Sequence, residues 1–321
     1  MKTRAISWAC LVATATCTPL GRAEGGENIA VFTKNQTNPF FQVVRLGAES
    51  AAQQMNARVT HFVPTKPDSI PEQTSQVEDV VVRKPAAIVF TPVDSKAMVP
   101  AVRKINAAKI PVVNLTDRSE GGEFVAFVGA SDHALGLETA RHLFRTMGGK
   151  GSVVILEGIK GTVSNSDRVR GFNDAAKEFP GIRILASQPA NYQRLQALQV
   201  MENLMQSHPR IDAVAAANDA MASGAIEALE GADRKALVIG INGTMEAIDA
   251  IKAGKMLATG DYNGFLQGCV ATMTAIRIVR NQPVLKEVVF KPVVIDRTNY
   301  RAWDVPAQGR MCPKWDDIGA R

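Results

Sequence analysis

The chain has 321 residues, 46% of them hydrophobic and 21% charged, with a formal net charge of +6. That length leaves room for two domains, the composition excludes a disordered chain, and so small a charge is no footprint for nucleic acid. Loss of residues 1–23 would remove Lys2, Arg4 and Arg22 and no acid, lowering the charge to +3, which is too mild to argue for a membrane surface.

The first 23 residues read as a cleavable secretory signal. Lys2 and Arg4 precede an uncharged run from Ala5 to Leu20, and Gly21-Arg22-Ala23 offers small residues for cleavage. The run is broken by threonines and Pro19 and is shorter than the ~18–20 apolar residues a membrane span needs. The expected location is therefore the periplasm. Cys10 and Cys17 leave with the signal, while Cys269 and Cys312 remain. An oxidising compartment makes a disulfide between them one reading, and two buried thiols the other.

From Asn28 onward, short apolar runs alternate with longer helical patterns. Strands are expected at 29–33, 58–63, 86–90, 112–115 and 124–128, then at 152–156, 182–186, 213–216, 236–241 and 257–259. Amphipathic helices are expected at 41–56, 70–82, 97–107, 134–147, 169–179, 195–206 and 220–229. Short strands rich in Val, Ile and Ala suit parallel sheets covered on both faces, and the alternation argues for a doubly wound α/β fold. A run of about four β-α units occurs twice, and Gly148-Gly149-Lys150-Gly151 marks the restart. Two Rossmann-like lobes follow.

In such sheets ligands bind beyond the carboxyl ends of the strands. The strand-end loops offer Lys34, Asn38, Phe40 and Phe41; then Asp117-Arg118; then Arg168, Tyr192, Asn218, Asn242 and Tyr262. Amides, carboxylates and guanidinium groups mixed with aromatics suit a sugar or polyol, whose hydroxyls both donate and accept while its C–H faces are apolar. Each residue also has a plainer explanation: Asn38 and Asn218 as helix caps, Asp117-Arg118 as a solvated pair, Phe40 and Phe41 as core. Asn38-Pro39 announces a helix start, and neighbours on a helix point about 100° apart, so one of the two phenylalanines is expected to face something other than the core. His61, His133, His142 and His208 fall at no metal or triad spacing, and Gly158 to Thr162 lacks the ending of a phosphate loop. Neither an enzyme nor a cofactor or metal site is expected.

The chain resembles the periplasmic sugar-binding proteins of ABC transporters, in particular the ribose-binding-protein-like group, which shares its lobes with the effector domain of LacI-type repressors. The resemblance runs from about Asn28 to about Lys291. It is carried by Thr37-Asn38-Pro39-Phe40-Phe41, Asp117-Arg118, Gly129-Ala130-Ser131-Asp132, and Gly158-Ile159-Lys160-Gly161-Thr162 with Arg168-x-x-Gly171-Phe172. It continues through Leu185 to Ala190, Ala217-Asn218-Asp219 and Gly240 to Thr244. The family pattern implies a type I periplasmic binding protein, a monomer that closes on a small sugar or polyol and presents it to a membrane permease. It implies an N-terminal lobe of 24–130 plus 263–291, a C-terminal lobe and tail of 131–262 plus 292–321, and a hinge crossing near Ser131, Tyr262-Asn263 and Lys291. It places Asn38, Phe40, Phe41, Asp117 and Arg118 in the cleft from one lobe, and Arg168, Tyr192, Asn218, Asn242 and Tyr262 from the other. One phenylalanine would stack on the ligand ring opposite Tyr192, and the other would close the floor. The departures are Lys34 where a small hydroxyl residue is usual, Ile241-Asn242 where Phe-Asp is, and Tyr262 where glutamine is. Losing an acid and gaining a base implies a more positive cleft, with room for an acidic sugar. A sensor presenting the ligand to a chemoreceptor or histidine kinase is the alternative implied by the same pattern.

Overall fold

The computed structural model describes residues 26–320; the expected leader at 1–23 lies outside the described residues. Strands β1 (Asn28–Phe32), β2 (Arg58–Phe62), β3 (Ala87–Phe90), β4 (Val112–Leu115), β5 (Ala126–Ala130) and β11 (Glu287–Phe290) form one sheet in the order β11-β5-β4-β3-β1-β2. Strands β6 (Lys150–Glu157), β7 (Gly181–Pro189), β8 (Ala213–Ala216), β9 (Leu237–Ile241), β10 (Ala258–Asp261) and β12 (Val293–Asp296) form the other, ordered β12-β10-β9-β8-β6-β7. All pairings are parallel except β10 with β12. Central strands such as β3 and β8 are buried throughout, as continuous apolar runs in a sheet covered on both faces should be. Two such sheets are the two doubly wound lobes.

Nine helices lie among the described residues: α1 (Pro39–Gln54), α2 (Ile70–Arg83), α3 (Val99–Ala107), α4 (Asp132–Thr146), α5 (Val163–Lys177), α6 (Arg194–Ser207), α7 (Asp219–Gly231), α8 (Met245–Lys252) and α9 (Gly264–Val279). Six begin on a polar cap placed at or just after a strand end. Asn38, Ser69, Ser131, Thr162, Asn218 and Thr244 each accept a backbone N–H with the side chain, so the strand-end polar residues are partly explained by capping.

Helices α8 and α9 and strands β11 and β12 have no counterpart among the elements expected from periodicity. Helix α9 is buried on nearly every side, which erases the apolar stripe that periodicity depends on. The chain passes between the sheets three times, after β5, after β10 and after β11.

The tail crosses between the lobes a fourth time. After β12, a short 3₁₀ turn at Tyr300–Ala302 packs near α8, the Trp303 indole N–H donates to Asp261 Oδ2 at 2.8 Å, and Lys252 pairs with Asp304 at 3.0 Å. All of these contacts are on the second lobe. From Ala307 the tail lies against α1 and α9, Cys312 is disulfide-bonded to Cys269 of α9 with Cα atoms 5.5 Å apart, and Trp315 sits under the Arg277 guanidinium at 4.4 Å. Those contacts are on the first lobe. The two cysteines thus form a disulfide, and the described residues of the tail touch both lobes.

Candidate functional site

The carboxyl ends of both sheets face one shared cavity, lined by residues of both lobes. Its first-lobe wall starts at the end of β1. Asn38 caps α1 by accepting the Phe40 N–H at 3.0 Å, and its own N–H donates to Asn35 Oδ1 at 2.9 Å. This fixes the entry angle of α1 and sends both Phe40 and Phe41 into the cavity wall. Their rings meet edge-on with centroids 5.2 Å apart, and Phe40 also lies 5.1 Å from Tyr262. A side chain at Gly264 would collide with the Phe40 ring, its Cβ falling 2.8 Å from a ring carbon.

Lys34 and Asp117 pair at 3.0 Å between the ends of β1 and β4. Asp68, just before α2, accepts from Asn35 Nδ2 at 3.1 Å, and its backbone N–H donates to Lys34 O. Burial alone would lower the pKa of the Lys34 ammonium, but Asp117 and Asp68 outweigh it and the net direction is upward. Burial pushes the Asp68 carboxyl up against the pull of Lys34.

The second-lobe wall is centred on Arg168. Its Nε donates to Asp132 Oδ1 at 2.7 Å, and its Nη1 donates to Ala217 O at 2.7 Å and to Asn242 Oδ1 at 3.4 Å. Asp132 Oδ2 accepts the Tyr262 hydroxyl at 2.9 Å. The guanidinium lies 4.5 Å over the Tyr262 ring and 5.9 Å from Tyr192, close enough for cation–π attraction. Burial pushes the Asp132 carboxyl up to about 6, against Arg168, so it remains ionised at neutral pH and ion-paired. The Arg168 pKa moves upward, the carboxylate outweighing desolvation. Tyr192 closes this side, and its ring occupies the space a Cβ at Gly158 would need, 2.1 Å away. Ser164 and Ile159 complete the lining.

Nine of the eleven residues expected at the site thus line one cavity: Lys34, Asn38, Phe40, Phe41, Asp117, Arg168, Tyr192, Asn242 and Tyr262. The other two do not. Arg118 turns outward, half-exposed, ion-pairs with Glu287 and stacks 3.6 Å over Phe127. Asn218 is fully buried behind the wall, where it accepts the Met221 N–H to cap α7 and donates to Tyr192 O at 3.3 Å. Asn35, Thr116 and Ile159, which stand in the strand-end loops, also line the cavity, as do Asp68 and Ser164, for which periodicity gave no signal.

Backbone geometry offers a partial trace of them. Asp68, Thr116, Tyr192 and Asn242 all have positive φ, at 56°, 65°, 60° and 142°. Non-glycine residues there are uncommon, and a β-branched one such as Thr116 is an outlier of the kind that clusters at functional sites. Lys34 and Arg168 are matched by Asp68 and Asp117, and Asp132 stands directly behind Arg168.

Residues 29–283 match the periplasmic binding protein domain family. The chain belongs to the periplasmic binding proteins. This member is 37% identical over 261 residues to the ribose import binding protein of Bacillus subtilis, covering 81% of this chain and 83% of that one. Among solved structures it superposes on an ABC transporter solute-binding protein of Actinobacillus succinogenes with bound D-allose, at a TM-score of 0.82 and 35% identity, covering 86% and 99% of the two chains. It matches the Caulobacter myo-inositol binding protein bound to myo-inositol with a TM-score of 0.82 and 29% identity, covering 91% and 100%.

Proposed function

We propose that this periplasmic binding protein captures a monosaccharide, polyol or sugar derivative between its lobes and delivers it to the membrane permease of an ABC transporter. The observation that carries the reading is the convergence of both lobes on one cavity whose wall combines four aromatic rings with amide, hydroxyl, carboxylate, ammonium and guanidinium groups. The relatives named for ribose, D-allose and myo-inositol support the same class of solute. Stacking on an aromatic ring contributes roughly 0.5–1.5 kcal/mol beyond area burial, and a charge-assisted hydrogen bond roughly 1.5–3 kcal/mol. A few such contacts reach the ~8 kcal/mol of micromolar affinity, so capture needs no covalent step.

The cavity is complete within one chain, and the protein acts as a monomer in the periplasm, exported by its leader. The three passages between the sheets near Ser131, Tyr262-Asn263 and Lys291 are the hinge about which 24–130 plus 263–291 closes on the other lobe. Isothermal titration calorimetry of the mature chain against pentoses, hexoses, polyols and sugar acids tests the reading. Micromolar binding of at least one of them is the expected result, and silence across the whole panel refutes the reading.

A further inference from the structure

The tail after β12 has no part in the cavity wall and lies beyond the family match, which ends at residue 283. It is docked on both lobes. On the second, the Trp303 indole donates to Asp261 Oδ2 and Lys252 pairs with Asp304. Asp261 ends β10, and its Oδ1 accepts the Asn263 N–H at 2.7 Å, so this dock grips the residue at which the chain passes back to the first lobe. On the first, Ala307 is buried where the tail meets α1, and the disulfide fastens Cys312 to α9, with its Sγ 3.5 Å from the Gly47 carbonyl oxygen of α1. Only Val305 and Pro306 separate Asp304 from Ala307, a link that spans about 11 Å even when fully extended. Arg310 folds it tighter. Its Nε donates to Val305 O at 3.0 Å and its Nη2 to Trp303 O at 3.1 Å, while Pro306 O accepts the Gly309 N–H. The docks belong to different lobes, so a rotation about the crossing changes their spacing, and a link this short and braced has little length to give. Restricting the open ensemble raises its free energy relative to the closed form. Both cysteines are buried, which makes the disulfide a permanent clasp for the tail.

We propose that the tail is a strap, a fourth connection between the lobes clasped by the Cys269–Cys312 disulfide and braced by Arg310, that limits how far the empty protein opens and so favours the closed, solute-holding form. The inference rests on the hinge closure of the capture reading, yet its first readout needs no solute. In the mature chain, Gly-Ser-Gly-Ser-Gly-Ser inserted between Val305 and Pro306 slackens the link while leaving both docks and the disulfide in place. The same insertion between Pro313 and Lys314 adds equal mass outside the link and serves as the reference. Small-angle X-ray scattering of the solute-free proteins is expected to give the slackened chain the larger radius of gyration, with the reference close to wild type. Calorimetry with D-ribose, D-allose and myo-inositol is expected to show the best-bound probe held about 3- to 10-fold more weakly by the slackened chain, because part of its population moves to the open form. Equal scattering from the two insertions overturns the strap, and equal affinity overturns its bias toward the closed form. Circular dichroism checks that the slackened chain folds; if it does not, Arg310→Ala, which releases the brace alone, takes its place against wild type in both measurements and the same outcomes decide. If no probe binds the wild-type chain, the capture reading falls while the scattering comparison still decides the strap.

Discussion

In the first lobe the cavity's polar groups hang on loops and hold one another: Asn38 with Asn35, Asn35 with Asp68, Lys34 with Asp117. In the second lobe Arg168 is fastened into the fold, on Asp132 at the start of α4, on the carbonyl after β8 and through Asp132 on Tyr262. The contrast separates two kinds of cavity residue. A first-lobe substitution should change what binds with little effect on the fold, whereas a second-lobe substitution should change both, because Arg168, which lines the cavity, also closes a buried ion pair between helices α4 and α5.

The largest expected effect comes from the second wall. Arg168→Ala should abolish solute binding and lower stability by about 3–5 kcal/mol, because it leaves the Asp132 carboxylate buried without its partner; the added Asp132→Asn change should restore melting but not binding. Chemical denaturation alongside calorimetry reads both, and an Arg168→Ala protein as stable as wild type would break the contrast. Opening the disulfide should have a similar effect on stability without touching the wall. Cys269 and Cys312 are 43 residues apart, and loop-closure entropy predicts that the double serine variant loses about 4 kcal/mol. Because that bond pins the first-lobe end of the tail, scattering from the solute-free variant should also report a wider opening.

Acidity sharpens the comparison at a smaller scale. Burial raises Asp132 and Asp219 to about 6, well above the ordinary aspartate value of 3.8. In that window the native state holds more protons than the unfolded chain, so stability falls as pH climbs from about 4 to 6 and stays reduced above it. Asp174, held down to about 2 by Lys177 and His133, works in the opposite direction only below about pH 4. Melting of the solute-free protein should therefore shift upward between pH 7 and pH 5, and a downward shift would show that these buried acids do not govern it. The smallest effects belong to the first wall and the tail. Asp117→Asn should lose binding at a stability cost under about 1.5 kcal/mol, and Trp303→Phe, which removes the donor to Asp261, should lower stability by about 1–2 kcal/mol with binding unchanged.

Much of the site was readable because its residues sit where strands end, and strand ends are legible from apolar runs flanked by caps. Phe40 and Phe41 illustrate both the strength and the limit of that reading. Their adjacency after Asn38-Pro39 implied that one of them leaves the core; both rings line the cavity, turned edge-on to each other. Arg118 and Asp68 mark where the reading stops. Whether a long side chain points into a cleft or across to Glu287 depends on a partner 169 residues away in sequence, and Asp68 reaches the wall only because a left-handed turn brings it against Lys34.

The amino-acid order alone determined the alternation of strand and helix, the doubling of the lobe and the loops where polar and aromatic groups gather, since these follow from local periodicity and capping. Tertiary structure alone decided the balance of charge in the cavity, the burial of α9 on nearly every side and the return of the tail to the first lobe through Cys312. Those depend on which distant groups come within a few ångströms of one another, and side-chain pairing at that range is set by the packing of the two sheets, which no local pattern encodes.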